Sequence, residues 1–238
     1  MPTRTSGLGA GELPNFTVAR FPDSFHVAMN KAVKIPEPTI ERLAIYARPL
    51  EELVKTKVEV ISSEKLAQMC GVNPAQVRKD LAFFGEFGVR GVGYNVYDLL
   101  TAIQKILSSD RTWIICVVGM GNLGKALVEN ENFKKRNYRF VAAFDSNPQA
   151  VGLQLPCGLT IKSYDEIEKT VQTLGIEIGI IAARPSEAQR AANLLMGAGV
   201  KAILNFAPTH IRTPNCCIIE NVDFSVKLEN LVYHLEKL

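Results

Sequence analysis

Residues 113–119, Trp-Ile-Ile-Cys-Val-Val-Gly, form an apolar run that leads directly into Gly119-Met120-Gly121-Asn122-Leu123-Gly124 and then into a helical pattern. A buried strand, a glycine-rich turn and a helix in that order leave few folds open. The spacing predicts the first βαβ unit of a Rossmann domain. Gly119 would make the tight turn, Gly121 would let the backbone approach a pyrophosphate, and Gly124 would let the helix pack closely on the strand. The free N–H groups and positive dipole end at the helix start suit phosphate. Asp145 follows about 20 residues on, ending the strand "RFVAAFD", where its carboxylate would accept from ribose hydroxyls. Ser146 and Asn147 come next, with no Arg there to receive a 2′-phosphate, so NAD(H) is favoured over NADP(H). A glycine-tightened turn without a ligand is the bland alternative, and the full context argues against it.

The pattern then alternates. A helix is expected over about 122–132, a Ser163-capped helix in "SYDEIEKTVQTLG", a strand in "IEIGIIA", a helix from Pro185 and a strand in "KAILNFA". This alternation implies a doubly wound parallel sheet.

The region before residue 108 reads differently. Ile40, Leu43, Ala44, Ala47, Leu50 and Val54 fall on one helical face, with Pro49 predicting a kink or break near Arg48. Val58, Val60 and Ile61 suit a short strand. Ser62 or Ser63 can cap a helix that Gly71 ends. Asn73 caps a second helix with Pro74 at its first position, where the missing N–H costs nothing. Val77, Leu81 and Phe84 of that helix point to a core. Glycines at 85, 88, 91 and 93 interleave with Phe87, Val89 and Val92 as a hairpin or wing, and a helix over about 97–108 follows. This is helix-turn-helix grammar with a wing. Gln76, Arg78, Lys79 and Asp80 sit on the recognition helix, and Arg90 on the wing could enter a minor groove. Charge does not decide the matter. Residues 32–108 hold ten Lys/Arg and nine Asp/Glu, a balance of +1, and the whole chain carries +3. An ordinary solvated helix face remains the alternative for Arg78 and Lys79.

The expected organisation is a leader or arm over 1–31, with 1–28 excluded from the fold, a winged helix over 32–110, a Rossmann domain over 111–224 and a terminal helix over 225–238. Leu228, Leu231, Val232, Leu235 and Leu238 form an apolar stripe on that helix. Spacing alone favours packing of the stripe on its own domain. No apolar run reaches the length of a membrane span, and no secretory signal pattern opens the chain, so a cytoplasmic protein is expected. The cysteines, Cys70, Cys116, Cys157, Cys216 and Cys217, show no CxxC spacing and read as free thiols rather than a redox pair at 216–217. Three scattered histidines, His26, His210 and His234, complete no metal-ligand grouping with them.

"VNPAQVRKDLAFFGEFGVRGVGYNV", "VVGMGNLGKAL", "LNFAP" and "ENVDF", in that order over roughly residues 32–238, resemble the Rex family of redox-sensing transcriptional repressors. The resemblance implies a winged helix joined to a Rossmann domain, and a homodimer on an inverted DNA repeat with its C-terminal helix swapped into the partner. It also implies release from DNA by NADH, with NAD⁺ competing but permitting binding. It matches Arg78 and Lys79 to recognition-helix cations, Arg90 to the wing arginine, and Gly119, Gly121, Gly124 and Asp145 to the nucleotide site. It places Asn205, Phe206 and Pro208 in a loop near the cofactor, and Asp223 and Phe224 near the nicotinamide at the dimer interface. Arg48 resembles a first-helix arginine that pairs with the aspartate in the DNA-competent state. Where some members offer that aspartate a tyrosine, this chain has Asn130. An NAD-dependent oxidoreductase, with His210 as its one candidate acid–base residue, and a CoA-binding module like that of acyl-CoA ligases are the competing readings. His210 reads as a loop histidine and no Lys or Tyr shows a catalytic spacing, while the winged helix has no place in the CoA-binding module, so a non-enzymatic regulator is expected.

Overall fold

The computed structural model describes residues 35–85, 87–89, 91–213 and 217–237. The leader at 1–28, the wing Arg90, Cys216 and Leu238 lie outside the described residues. The chain divides into two compact units that meet at Thr101 and Ala102, inside a helix.

The first unit opens with α1 (Glu37–Lys55), followed by β1 (Val60–Ile61), α2 (Ser63–Cys70) and α3 (Pro74–Ala82). It continues with β2 (Gly88–Val89), β3 (Gly93–Asn95) and the start of α4 (Val96–Ile106). The buried stripe of α1 is Thr39, Leu43, Tyr46, Ala47 and Leu50. Ile40 is 37% exposed, so the apolar face is rotated from the expected one toward Thr39 and Tyr46. Both hydroxyls are drawn inward because each meets a buried carboxylate. Nor does α1 break at Pro49. Proline leaves the Ile45 carbonyl without its helical N–H, and the Cys70 thiol of α2 donates to that carbonyl at 3.9 Å.

The motif's two helices form as their sequence dictates. Ser62 Oγ accepts from Lys65 N, and Gly71 stops α2 at φ 67°. Asn73 Oδ1 accepts from Ala75 N, with Pro74 next to it. Val77 and Leu81 are buried, as are Phe84, Leu66 and Tyr46. β1, β3 and β2 form an antiparallel sheet in that order. Gly93 is obligatory there: its φ is +113°, and a Cβ would lie 2.5 Å from the Ile61 carbonyl oxygen.

The second unit is a wholly parallel six-stranded sheet among the described residues. Its strands are β4 (Trp113–Val118), β5 (Tyr138–Asp145), β6 (Ile161–Ser163), β7 (Ile178–Ile181), β8 (Ala202–Asn205) and β9 (Ile218–Asn221). Its helices are α5 (Asn122–Glu129), α6 (Glu131–Lys135), α7 (Ile167–Leu174), α8 (Pro185–Gly197) and α9 (Phe224–Leu235). The spatial order β6-β5-β4-β7-β8-β9 is the doubly wound order, reversing between β4 and β7. Cys116, Val117 and Val118 of the central strand are fully buried, with Phe144, Ile181, Leu195 and Ile203 around them. Ser163 forms a capping box with Glu166, which starts a 3-10 turn leading into α7. The single helix expected over 122–132 is two. Asn130 adopts φ −75°, ψ 109°, ends α5 and caps α6 through Oδ1 to Asn132 N.

Candidate functional site

At the reversal point the carboxyl ends of β4 and β7 diverge and leave a crevice, the place where open α/β sheets take ligands. A cleft of about 570 Å³ lies there, lined by Gly119, Gly121, Asp145–Pro148, Tyr164, Ala182–Arg184 and Glu187. The three glycines of the turn have separate tasks. Gly119 has φ +96°, and a Cβ on it would sit 2.6 Å from Ala183 N, against the opposite wall. Gly124 packs so closely on the turn that a Cβ would lie 2.0 Å from the Gly119 oxygen. Gly121 is the exception: a Cβ would meet nothing within 4 Å, so its missing side chain leaves open room rather than permitting a contact. Gly121 is also the N-cap of α5 and gives it no side-chain cap, unlike Ser62, Asn73 and Asp223 at their helices. An open cradle against an uncapped helix start fits a diphosphate.

Asp145 is fixed before any ligand arrives. Its Oδ2 accepts from Met120 N at 2.6 Å and its Oδ1 from Asn147 N at 2.8 Å. Each oxygen keeps a further lone pair for a ribose hydroxyl. Met120 contributes its backbone here, since its side chain is buried in the core. Asn122 and Leu123 stand exposed on the first turn of α5.

Sequence reasoning missed the other wall. Arg184 and Glu187 line the cleft from the turn after β7 and the start of α8, and Tyr164 lines it from the turn after β6. The turn after β7 was the signal for the first two, because that strand flanks β4 on the side away from β5. Tyr164 is buried, and burial, with the Asp145 and Glu187 charges adding, pushes its hydroxyl up to about 12. It therefore stays protonated. Glu187 Oε2 is buried without a hydrogen bond, 3.6 Å from Arg190 Nη1. Arg184 also shows that cations near the cleft are not confined to the residues after Asp145.

Asn205 ends β8 in register with Ile181 and Asn221, on the same sheet edge as the cleft. It is buried, not a surface contact. Its Nδ2 donates to Ala207 O, Thr209 O and Asn221 Oδ1, and its Oδ1 accepts from Ala207 N. These bonds shape the loop that carries Phe206 and the exposed Pro208. Phe206 and Phe224 face each other at 6.2 Å between centroids. Asp223 caps α9 by accepting from Ser225 N. Helix α9 has no buried residue; Leu228, Leu231 and Leu235 are 60–69% exposed, so the stripe does not pack on its own chain.

In the first unit the recognition helix divides its polar residues. Lys79 is exposed. Arg78 Nη1 donates to Ser63 Oγ at 2.7 Å and Glu64 Oε1 at 3.1 Å. Asp80 is not a surface residue: it is fully buried. It accepts from Arg42 at 2.6 and 2.8 Å, Tyr46 at 2.8 Å, Gln76 at 2.8 Å and Thr39 at 3.2 Å. Burial opposes its charge, but the Arg42, Tyr46 and Gln76 hydrogen bonds outweigh that and hold the carboxyl below its usual value. Asp80 cannot read bases; it ties the recognition helix to α1, and Gln76 serves it. A groove of about 640 Å³ runs between α3 and the wing, lined by Arg78, Gly88 and Tyr94 among others. Arg48 is exposed on α1. No group of His, Cys, Asp and Glu able to hold a metal occurs among the described residues, and none of their helices is long and apolar enough to cross a membrane.

A model described as a putative DNA-binding protein N-terminus matches residues 34–82, and one described as a CoA binding domain matches 110–209. The redox-sensing transcriptional repressor Rex of Syntrophobacter fumaroxidans is 55% identical over 86% of this chain and 98% of its own length. That of Carboxydothermus hydrogenoformans is 45% identical over 87% and 99%. Among solved structures, RSP in complex with β-NAD⁺ and operator DNA is 37% identical, with a TM-score of 0.81 over 86% of this chain and 94% of that one. RSP in complex with β-NADH is 36% identical, with a TM-score of 0.77 over 86% and 96%.

Proposed function

The chain belongs to the Rex family of redox-sensing transcriptional repressors, and from that membership we propose that it binds operator DNA as a repressor and is released by NADH. It is a regulator rather than an enzyme. The observation that carries the nucleotide half of this reading is the cradle at Gly121, open to 4 Å and set against an uncapped helix start, with Asp145 pinned beside it. NAD(H) would lay its diphosphate there and its adenosine ribose against Asp145. Phe206, Pro208 and Phe224 are assigned to the nicotinamide end, with Asn205 holding their loop.

The DNA half rests on Arg78 and Lys79 at the exposed side of α3, with Arg90 on the wing. Two copies would read an inverted repeat, and the exposed stripe of α9 is assigned to the partner copy. Arg48, Asp223 and Asn130 are assigned to the switch, one on the first unit and two on the second. Asn130 keeps its amide N–H groups available while its carbonyl oxygen caps α6.

The regulation is a linkage. NADH shifts nothing unless it binds the DNA-incompetent arrangement more tightly than the competent one. Carrying occupancy from 99:1 to 1:99 requires a ratio of about 10⁴. Operator DNA must then weaken NADH binding by the same factor. The test is the anisotropy of a labelled inverted-repeat duplex at fixed salt, titrated with NADH, NAD⁺ and NADPH. Release at far lower NADH than NAD⁺ or NADPH supports the reading, and binding indifferent to all three nucleotides discards the redox switch.

A further inference from the structure

The Arg78 guanidinium does not hang free over the groove. Its Nη1 donates to Ser63 Oγ at 2.7 Å and to Glu64 Oε1 at 3.1 Å, and Ser63 Oγ donates to the same Glu64 oxygen at 3.2 Å. The three groups close a triangle across both helices of the motif, and one of its corners is anchored in the core. Ser63 is buried at the first position of α2. A backbone N–H at that helix start and the hydroxyls of Ser62 and Ser63 hold the Glu64 carboxyl below its usual value, so it stays charged beside Arg78. The Arg78 side chain nonetheless remains 54% exposed. A guanidinium presents five N–H groups in a planar fork. The bracing engages Nη1, and among the described residues nothing engages the Nε–Nη2 edge. That edge can make two parallel bonds to N7 and O6 of a guanine.

We propose that Glu64, together with Ser63, is a specificity-determining positioning residue, bracing Arg78 so that its free edge meets a guanine in the major groove. The inference rests on the assignment of Arg78 as a base contact. A long flexible arginine loses rotamer freedom when it binds, and one already fixed in the free protein loses less. The benefit is directional. A phosphate accepts a cation from many angles, whereas a bidentate base contact needs the fork in one plane. Glu64 also sets a negative charge, 66% exposed, beside the DNA-facing cation. That charge weakens binding to any duplex through the phosphates, so it disfavours non-specific sites while the bracing favours the specific one.

The experiment compares operator and random duplex affinities at one salt concentration for the full chain and its Glu64→Ala, Glu64→Gln, Ser63→Ala and Arg78→Ala variants, with NADH affinity as the check on folding. Glu64→Ala should lower the operator-to-random ratio by roughly five- to tenfold, weakening the operator and strengthening the random duplex. Glu64→Gln keeps the acceptor oxygen and should hold operator affinity within about twofold while binding random duplex more tightly. Ser63→Ala should lower the ratio by a smaller factor. NADH affinity should not move. A purely structural role for Glu64 would leave the ratio unchanged. If Arg78→Ala loses the operator preference while Glu64→Ala and Ser63→Ala keep it, the bracing alone is overturned. If Arg78→Ala also keeps the preference, the base-contact assignment falls and the bracing with it.

Discussion

Gly121 and Gly124 stand three residues apart in one turn and answer to different constraints. A methyl on Gly124 collides with the Gly119 oxygen at 2.0 Å, so Gly124→Ala should destabilise the second unit by about 1–3 kcal/mol or more. A methyl on Gly121 meets nothing, so Gly121→Ala should change stability by less than about 1 kcal/mol. The same methyl enters the room assigned to the diphosphate, so NADH affinity should fall about tenfold or more, near 1.4 kcal/mol. Thermal unfolding and NADH titration of both variants separate the two roles; equal NADH affinity for Gly121→Ala and wild type would remove Gly121 from the site. Asp80 gives a second residue-scale expectation. Removing its charge leaves Arg42 unpaired against a buried amide, so Asp80→Asn should destabilise the first unit by roughly 3–5 kcal/mol, read by denaturant titration. The folded carboxyl titrates below the ordinary aspartate value of 3.8. Its contribution is therefore complete above that value and disappears as pH falls through the lower folded one. Wild-type stability should decline with acid through that window, and the Asp80→Asn variant should lack that component.

Among the elements, α1 departs most from its local sequence. Pro49 inside a helix typically costs about 3 kcal/mol, yet the helix runs from Glu37 to Lys55. The Cys70 thiol is a weak donor, so its contact with the Ile45 carbonyl recovers only part of that cost. Pro49→Ala should restore the N–H and raise stability by about 1–2 kcal/mol after allowing for the freer unfolded chain. A midpoint in urea that stays put or falls would show that the proline is better accommodated than this. The α5–α6 junction follows the opposite logic. Asn130 interrupts an amphipathic pattern because its side chain can cap a new helix start, and a short polar side chain competes with the helix for backbone groups.

At the scale of the whole molecule, α9 exposes Phe224, Val226, Leu228, Leu231, Val232, Tyr233 and Leu235. Leu231 is 64% exposed and touches no core of its own chain. Leu231→Asp should leave the far-ultraviolet circular dichroism unchanged but halve the sedimenting mass, if the stripe is the seam between copies. Operator affinity should drop with it, because one copy reads one half-site of an inverted repeat. A variant that still sediments as a dimer would move the interface elsewhere. Six parallel strands in doubly wound order carry the cleft assigned to the nucleotide at their reversal. The family's relatives match along nearly their full length, so they carry both units in one chain.

Local grammar was sufficient for much of this protein. Glycine spacing, an acid at the next strand end, a capped helix pair and a glycine-rich wing are short-range signals, because backbone conformation and helix caps are settled within a few residues. They predicted the parallel sheet and the helix-turn-helix, and Gly119, Gly121 and Asp145 are among the residues that line the cleft. Tertiary structure decided what depends on groups far apart in the chain. Asp80 looked like a base-reading residue and became a buried clamp because Arg42 and Tyr46 approach it from α1, more than 30 residues away. Pro49 promised a kink or a break near Arg48, yet α1 runs through it, with the Cys70 thiol of a distant helix donating to the freed Ile45 carbonyl. Arg184 and Glu187 joined the cleft only when β7 paired beside β4, and Tyr164 when β6 paired beside β5. The partners that decide whether a polar side chain is buried or exposed come from distant segments, and a one-dimensional pattern does not encode their approach.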